Sequence, residues 1–312
     1  MQIIENKVHF DFPGRSCVTL GKFDGLHIGH SKIIESMREH MQDDMHMVAF
    51  TFDPSPASFF AGRTIPELMT KEEKRKAFES YGFDYLWEFP MNDETAATKP
   101  YDFIKNYLFE DLKAGVIVAG EDVSFGDKGL GNAQLLAECA DEFGYELYLL
   151  PKVCIDGNEV SSSYVRQEVS KGNMELVAGL LGKPYELSGI VEKGAQRGRE
   201  FGFPTVNIYP SDSKLLPPYG VYYAKVYTDQ GMFYSITDIG VKPTVTSEGR
   251  KVVESYLYNF DGTLYGTQIR VELLSYRRPE YKFSGVDELI KTLENDKKAG
   301  EKYFGLNLNF EG

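Results

Sequence analysis

The chain has 312 residues, 42% of them hydrophobic and 26% charged, with a formal net charge of −13. That length is more than one core usually serves, so two domains of unequal character are expected, and the hydrophobic content excludes a wholly disordered chain. The acidic balance argues against general binding to nucleic acid or anionic membranes; nucleotides need only a local phosphate site and a divalent cation, and stay open.

At the N-terminus, residues 1–6 offer neither a basic region nor a long apolar core, so no secretion signal is expected. No run approaches the ~18 apolar residues that span a bilayer, which speaks against a transporter. Cys17, Cys139 and Cys154 are odd in number and lack C-x-x-C spacing. They read as buried thiols of a cytoplasmic protein rather than a disulfide framework or zinc site.

From residue 8 to about 184, short apolar runs alternate with longer amphipathic ones. Strands are expected over 16–20, 45–52, 84–89, 115–119 and 146–151, and helices over 28–41, 71–81, 100–111, 132–143 and 162–181. This alternation implies a doubly wound α/β parallel sheet with ligands at the carboxyl ends of its strands.

The first strand runs into Gly21-Lys22-Phe23-Asp24-Gly25-Leu26-His27-Ile28-Gly29-His30, and a helix with Ile33, Ile34, Met37 and Met41 on one face follows. Such a strand-to-helix corner aims free backbone N–H groups and the positive end of a helix dipole at one point. Gly25 and Gly29 clear the approach for a phosphate chain, and His27 and His30 can stabilise charge growing on a leaving pyrophosphate. Paired histidines also occur at solvated helix starts, but here glycines and an aspartate crowd the same turn. H-x-G-H is the signature of adenylyl- and cytidylyltransferases, and G-x-F-D-G-x-H-x-G-H resembles the bifunctional riboflavin kinase/FAD synthetase family.

Two later strand ends join this edge: 51–56, holding Ser55 where the family often has His, and 119–126, holding Asp122. Asp122 can accept from a ribose hydroxyl or an adenine amine. Its segment resembles the family's G-x-D-F-x-F-G, with Val123 in place of Phe. Ser161-Ser162-Ser163-Tyr164-Val165-Arg166 opens the last helix, where serines are natural N-caps. A cation one turn into a helix is better explained by a phosphate than by the dipole. The run resembles S-S-T-x-I-R, which implies that Ser162, Ser163 and Arg166 hold the β- and γ-phosphates of ATP, with Gly21, Phe23, Asp24, Gly25, Gly29 and Asp122 completing that site. Neither a Walker A motif nor G-x-G-x-x-G is present, so the site is not a P-loop.

Past Pro184 the texture changes to short Val-, Ile-, Tyr- and Thr-rich runs separated by turns, at 187–192, 220–228, 233–239, 252–260 and 267–276. An amphipathic helix over 286–304 closes the chain. This reads as a second domain, 185–312, built as an antiparallel β-barrel with a C-terminal helix. Within it, Gly194, Gly198 and Gly202 allow a loop to fold over a phosphate, Arg197 or Arg199 can add charge, and Thr205 and Asn207 present two oxygens on one side as Mg2+ ligands.

The run 198–207 resembles the riboflavin kinase signature G-R-x-x-G-F-P-T-A-N, with Val206 departing, and brings Pro204 into the site. The stretch 253–266 resembles V-E-x-H-L-x-D-F-x-G-D-L-Y-G. By resemblance, Glu254 is the base that takes the proton of a primary alcohol. Asp238 replaces the family's Asn, Tyr256 its His and Asn259 its Asp.

The resemblance spans about residues 19–283 and implies a two-step path. Riboflavin is phosphorylated by ATP in the barrel (residues 185–312), and the resulting FMN is adenylylated to FAD in the nucleotidyltransferase domain (residues 1–184), with Mg2+ assisting. Riboflavin, FMN and ATP are the expected small-molecule partners. The alternatives are an FAD synthetase with a decayed kinase half and a flavin-binding regulator without turnover.

Overall fold

The computed structural model describes residues 1–194, 202–242 and 249–306. The chain divides into two compact units, Met1–Tyr164 with Asp212–Leu215, and Val165–Ser211 with Leu216–Gly312.

The first unit is a six-stranded parallel sheet. Its strands are β1 (Gln2–Glu5), β2 (Arg15–Leu20), β3 (Met45–Asp53), β4 (Tyr85–Pro90), β5 (Ala114–Gly120) and β6 (Glu146–Leu150), in the order β1-β4-β3-β2-β5-β6. The order reverses between β2 and β5, and a crevice opens at such a switch point beyond the carboxyl ends of the strands. The helices are α1 (Ile28–His40), α2 (Pro56–Ala61), α3 (Lys71–Ser80), α4 (Asp93–Ala96), α5 (Pro100–Phe103) and α6 (Ala133–Phe143).

Side chains alternate across each strand, which makes two cores. Val18, Phe50, Trp87 and Ile117 pack with Phe103, Leu108 and Leu136 on one face. Cys17, Met47, Leu86 and Val116 pack with Ile34 and Met37 of α1 and Phe78 of α3 on the other.

Several elements differ from expectation. β1 lies ahead of the first expected strand and pairs with β4 from Gln2↔Tyr85 to Glu5↔Glu88. The helix expected over 100–111 is regular only to Phe103 and continues as a π-helix, Ile104–Asp111, with Leu112 N–H bonding the Tyr107 carbonyl. The wider turn buries Phe103, Ile104, Tyr107, Leu108 and Leu112 together. The long helix expected over 162–181 is two, α7 (Ser162–Lys171) and α8 (Met174–Leu181), because Gly172 takes φ +80° and ends the first. A small hairpin, β7 (Cys154–Ile155) and β8 (Asn158–Glu159), turns through Asp156 (φ +50°) and Gly157 (φ +80°), the left-handed pair that Asp-Gly suits.

In the second unit β9 (Tyr185–Ile190), β10 (Thr205–Ile208), β11 (Gly220–Thr228), β12 (Gly231–Lys242), β13 (Arg250–Leu257) and β14 (Gln268–Pro279) form an antiparallel sheet ordered β10-β13-β12-β11-β14-β9. A bridge between Glu192 and Asn207 brings the two outer strands together and curls the sheet into a barrel. The C-terminal helix α9 (Val286–Phe304) packs on the barrel, where Tyr303 stacks on Tyr223 with ring centroids 4.0 Å apart. A Cβ at Gly300 would fall 2.2 Å from the Tyr258 hydroxyl, so this close approach requires glycine.

Two candidate active sites

In the first unit the chain leaves β2 through a corner in which Phe23 (φ +48°), Gly25 (φ +96°) and Leu26 (φ +44°) all take left-handed backbone. His27 is the N-cap residue of α1 and makes no side-chain cap bond; the first turn carries no acidic residue. The N-terminal amides and the dipole of a 13-residue helix therefore face an opening without a competing carboxylate from the helix itself.

That opening is a cavity of about 240 Å³ at the switch point, lined among others by Gly21, Phe23, His27, Gly29, His30, Asp122 and Ser162. His27 and His30 stack with centroids 3.8 Å apart, and neither Nδ1 has a hydrogen-bond partner among the described residues although both atoms are buried. Burial pushes His27 down to about 4 against a smaller opposing pull from Asp122. It pushes His30 well below the usual histidine value, with His27 and Lys74 adding to the effect. Both rings are neutral at pH 7. Unused polar nitrogens in a buried position are capacity held for a ligand.

The remaining expected residues take other places. The Asp24 carboxylate turns inward, where Oδ1 accepts from the Leu68 N–H at 2.7 Å, and its carbonyl accepts from Ser162 Oγ at 2.7 Å. A Cβ at Gly29 would meet the His27 ring at 3.1 Å, so this glycine makes room for the imidazole. Ser161 is the capping serine, accepting from the Tyr164 N–H, and Ser163 is exposed. Arg166 lies one turn into α7, in the second unit. Val123 lines the cavity and packs against the first core. Ser55 is the N-cap residue of α2, with its hydroxyl bonded to Ser58.

Lys152, absent from the expected set, lines the same cavity just past β6 and lies 3.8 Å from Asp122. The strand-end rule that picked Asp122 after β5 points equally to it.

A second opening on this sheet edge, about 220 Å³, is lined by Asp53, Ser55, Lys71 and Lys74 among others. The Lys74 ammonium donates to the Lys22 carbonyl at 3.1 Å, tying α3 to the loop that begins the histidine corner, and Phe52 lines both openings.

In the barrel, Thr205 and Asn207 alternate along β10, and Glu254 of β13 pairs directly with Asn207. Glu254 pairs in turn with Asp238 of β12, and Asp238 with Val221 of β11. One rung of the sheet thus carries Asn207, Glu254 and Asp238. The Lys242 ammonium forms an ion pair with Glu254 and donates to Asn207 Oδ1 at 3.1 Å. An amide oxygen and a carboxylate that already share one cation suit a magnesium ion, whose ligands are oxygens. A Cβ at Gly194 would fall 2.7 Å from the Asn207 amide, so the close approach of the backbone at residue 194 requires glycine. Gly202 takes φ +81°. Arg197, Gly198 and Arg199 lie outside the described residues.

Two cavities flank the rung. One of about 390 Å³ is lined by Pro204, Thr205, Asn207 and the turn Phe260–Tyr265 region, which Asn259 enters at φ +56°, a conformation asparagine tolerates. The other, about 240 Å³ and largely apolar, is lined by Glu254, Asp238, Tyr256 and Arg278 together with Leu289 and Leu293 of α9.

Residues 10–164 match the family model for FAD synthetase and residues 181–304 that for riboflavin kinase. The bifunctional riboflavin kinase/FMN adenylyltransferase of Bacillus subtilis is 32% identical over 295 residues, covering 93% of each chain. The chain belongs to the bifunctional riboflavin kinase/FMN adenylyltransferase family. The Escherichia coli K12 member is 31% identical, over 94% of this chain and 95% of its own. The crystal structure of a macrolide-efflux protein from Streptococcus pneumoniae superposes with a TM-score of 0.83 at 27% identity, covering 96% of this chain and 98% of that one. Among the described residues, no helix is long and apolar enough to cross a membrane.

Proposed function

We propose that the family's two reactions run in two separate sites of this chain, each within its own unit. The chain phosphorylates riboflavin to FMN and adenylylates FMN to FAD, releasing pyrophosphate, with ATP consumed in both steps.

For adenylyl transfer, ATP lies in the cavity at the β2/β5 switch point, and FMN approaches from the neighbouring opening beside Lys71 and Lys74. The FMN phosphate attacks the α-phosphorus in line, so the protein supplies orientation and charge stabilisation but no nucleophile. His27 and His30 enter neutral and donate to the phosphoryl oxygens, and gain proton affinity as charge moves to pyrophosphate. Ser162, Ser163 and Lys152 are assigned to the outer phosphates and Asp122 to the nucleoside, while Arg166 falls outside this unit. The observation that carries this site is the pair of buried, partnerless imidazole nitrogens at the start of α1.

For phosphoryl transfer, riboflavin enters the apolar cavity with its primary hydroxyl at Glu254, which takes the proton. ATP occupies the larger cavity, with Thr205 and Asn207 as its metal ligands and Pro204 shaping the strand entry. Bound Mg2+ would neutralise phosphate charge. Lys242 pairs with Glu254 and donates to the Asn207 oxygen, which draws both toward the same point. The cytoplasm is the proposed compartment, in keeping with three free thiols, of which Cys17 and Cys139 are buried as expected and Cys154 is exposed.

A crossed pair of variants tests the assignment. Riboflavin or FMN is incubated with ATP and Mg2+, and the flavins are separated by chromatography. His30→Ala should lower FAD formation from FMN by about 100-fold or more while FMN formation stays within about twofold. Glu254→Gln should lower FMN formation by about 100-fold or more and spare FAD formation from FMN. Both activities falling together in either folded variant would defeat the two-site reading.

A further inference from the structure

Asp238 lies beside Glu254 on the same rung, yet its environment differs. Its Oδ1 is buried and has no hydrogen-bond partner among the described residues, while its side chain lines the apolar cavity. The charged groups around it are Glu280 and Arg278 from β14 and its continuation, Asp296 from α9, and Lys242 from its own strand. Across the pair on β13 stands Glu254, and across the pair on β11 the apolar Val221.

Arg278 does not neutralise Asp238 by contact, because Asp296 holds its guanidinium at 2.6 and 3.1 Å. Burial, followed by Glu280, pushes the Asp238 carboxyl up to about 7. The group therefore reaches neutral pH partly as an acid that both donates and accepts. Native structures satisfy buried polar groups, so a partnerless oxygen aimed into a cavity marks a place for a ligand's polar atom.

Position decides which atom. Cross-strand neighbours stand about 5 Å apart. A polyol chain whose primary hydroxyl sits at Glu254, and whose ring lies among Ile236, Phe283, Leu289 and Leu293, must pass Asp238 with its secondary hydroxyls. We propose that Asp238 is a specificity-determining residue of the kinase site, hydrogen-bonding a secondary hydroxyl of the ribityl chain. This rests on the kinase reading of the cavity.

The test uses the full-length protein and two flavins, riboflavin and its 10-(5-hydroxypentyl) analogue, which keeps the primary hydroxyl and lacks the secondary ones. Wild type should prefer riboflavin in kcat/KM by about 10-fold or more. Asp238→Val should lose that preference through riboflavin alone, and Asp238→Asn, whose amide keeps an acceptor and a donor, should retain it. FAD formation from added FMN reports that each variant is folded; if Val does not fold, Asp238→Ala reads the same ratio. An equal fall for both flavins, or a preference that survives Asp238→Val, overturns the proposal and leaves the kinase reading standing. Wild type that phosphorylates neither flavin overturns the kinase reading, and this proposal with it.

Discussion

His27 and Asp238 depart from their ordinary pKa values in opposite directions, and the two have opposite consequences for stability. His27 titrates at about 4 folded and near the usual histidine value unfolded, so between those values the unfolded chain binds more protons. Its contribution is complete above about 6.5 and is lost as pH falls toward 4. Asp238 titrates at about 7 folded and near 4 unfolded. There the folded chain binds more protons, and stability is lost as pH rises through 7. Melting temperatures measured by calorimetry from pH 4.5 to 8.5 should accordingly fall at both ends. His27→Gln should flatten the acid limb, and Asp238→Asn should raise the melting temperature at pH 8.5. The histidine pair was legible in the sequence because its chemistry is carried by spacing within one turn. Asp238 was visible only as a departure from a family pattern, since its missing partner depends on Asp296 holding Arg278 from a helix elsewhere in the chain.

The β2–α1 corner shows what an element adds to its residues. Gly25, expected to clear a path for phosphate, is required by its φ of +96°, and it does not line the cavity. Gly25→Ala should cost about 1 kcal/mol of stability by thermal unfolding, from backbone strain. It should also lower FAD formation while leaving FMN formation unchanged, because the strained turn sets where His27 and His30 point. Elements with a clear period, such as β2 to β6 of the parallel sheet and α9, could be read within a residue or two. The π-helix could not, because its apolar residues satisfy a helical pattern and only the packing of Tyr107 and Leu112 selects the wider turn. Residues 171–173, Lys-Gly-Asn, carry an ordinary helix stop, and the apolar period on either side conceals it.

The architecture of the whole chain follows from its change of texture near residue 184, but the fine division of the chain does not. Asp212–Leu215 belongs to the first unit although it lies between β10 and β11 in sequence. Lys214, with 3% of its side chain exposed, donates to Glu73 at 2.6 Å and to the Leu68 carbonyl at 2.7 Å, and its backbone bridges Glu67. Glu73 is 141 residues away, so nothing local to residue 214 announces the pairing. Lys214→Met leaves the Glu73 carboxylate buried without this cation and should cost about 3 kcal/mol in chemical denaturation of the first unit.

The same feature governs how such a gene can be taken apart. A single cut between the halves would strip the first unit of residues 212–215 and leave them in the fragment that encodes the barrel. The two units are therefore not modules strung end to end. They are interlaced in the reading frame, and shuffling one half with that of a relative requires exchanging two stretches of DNA together.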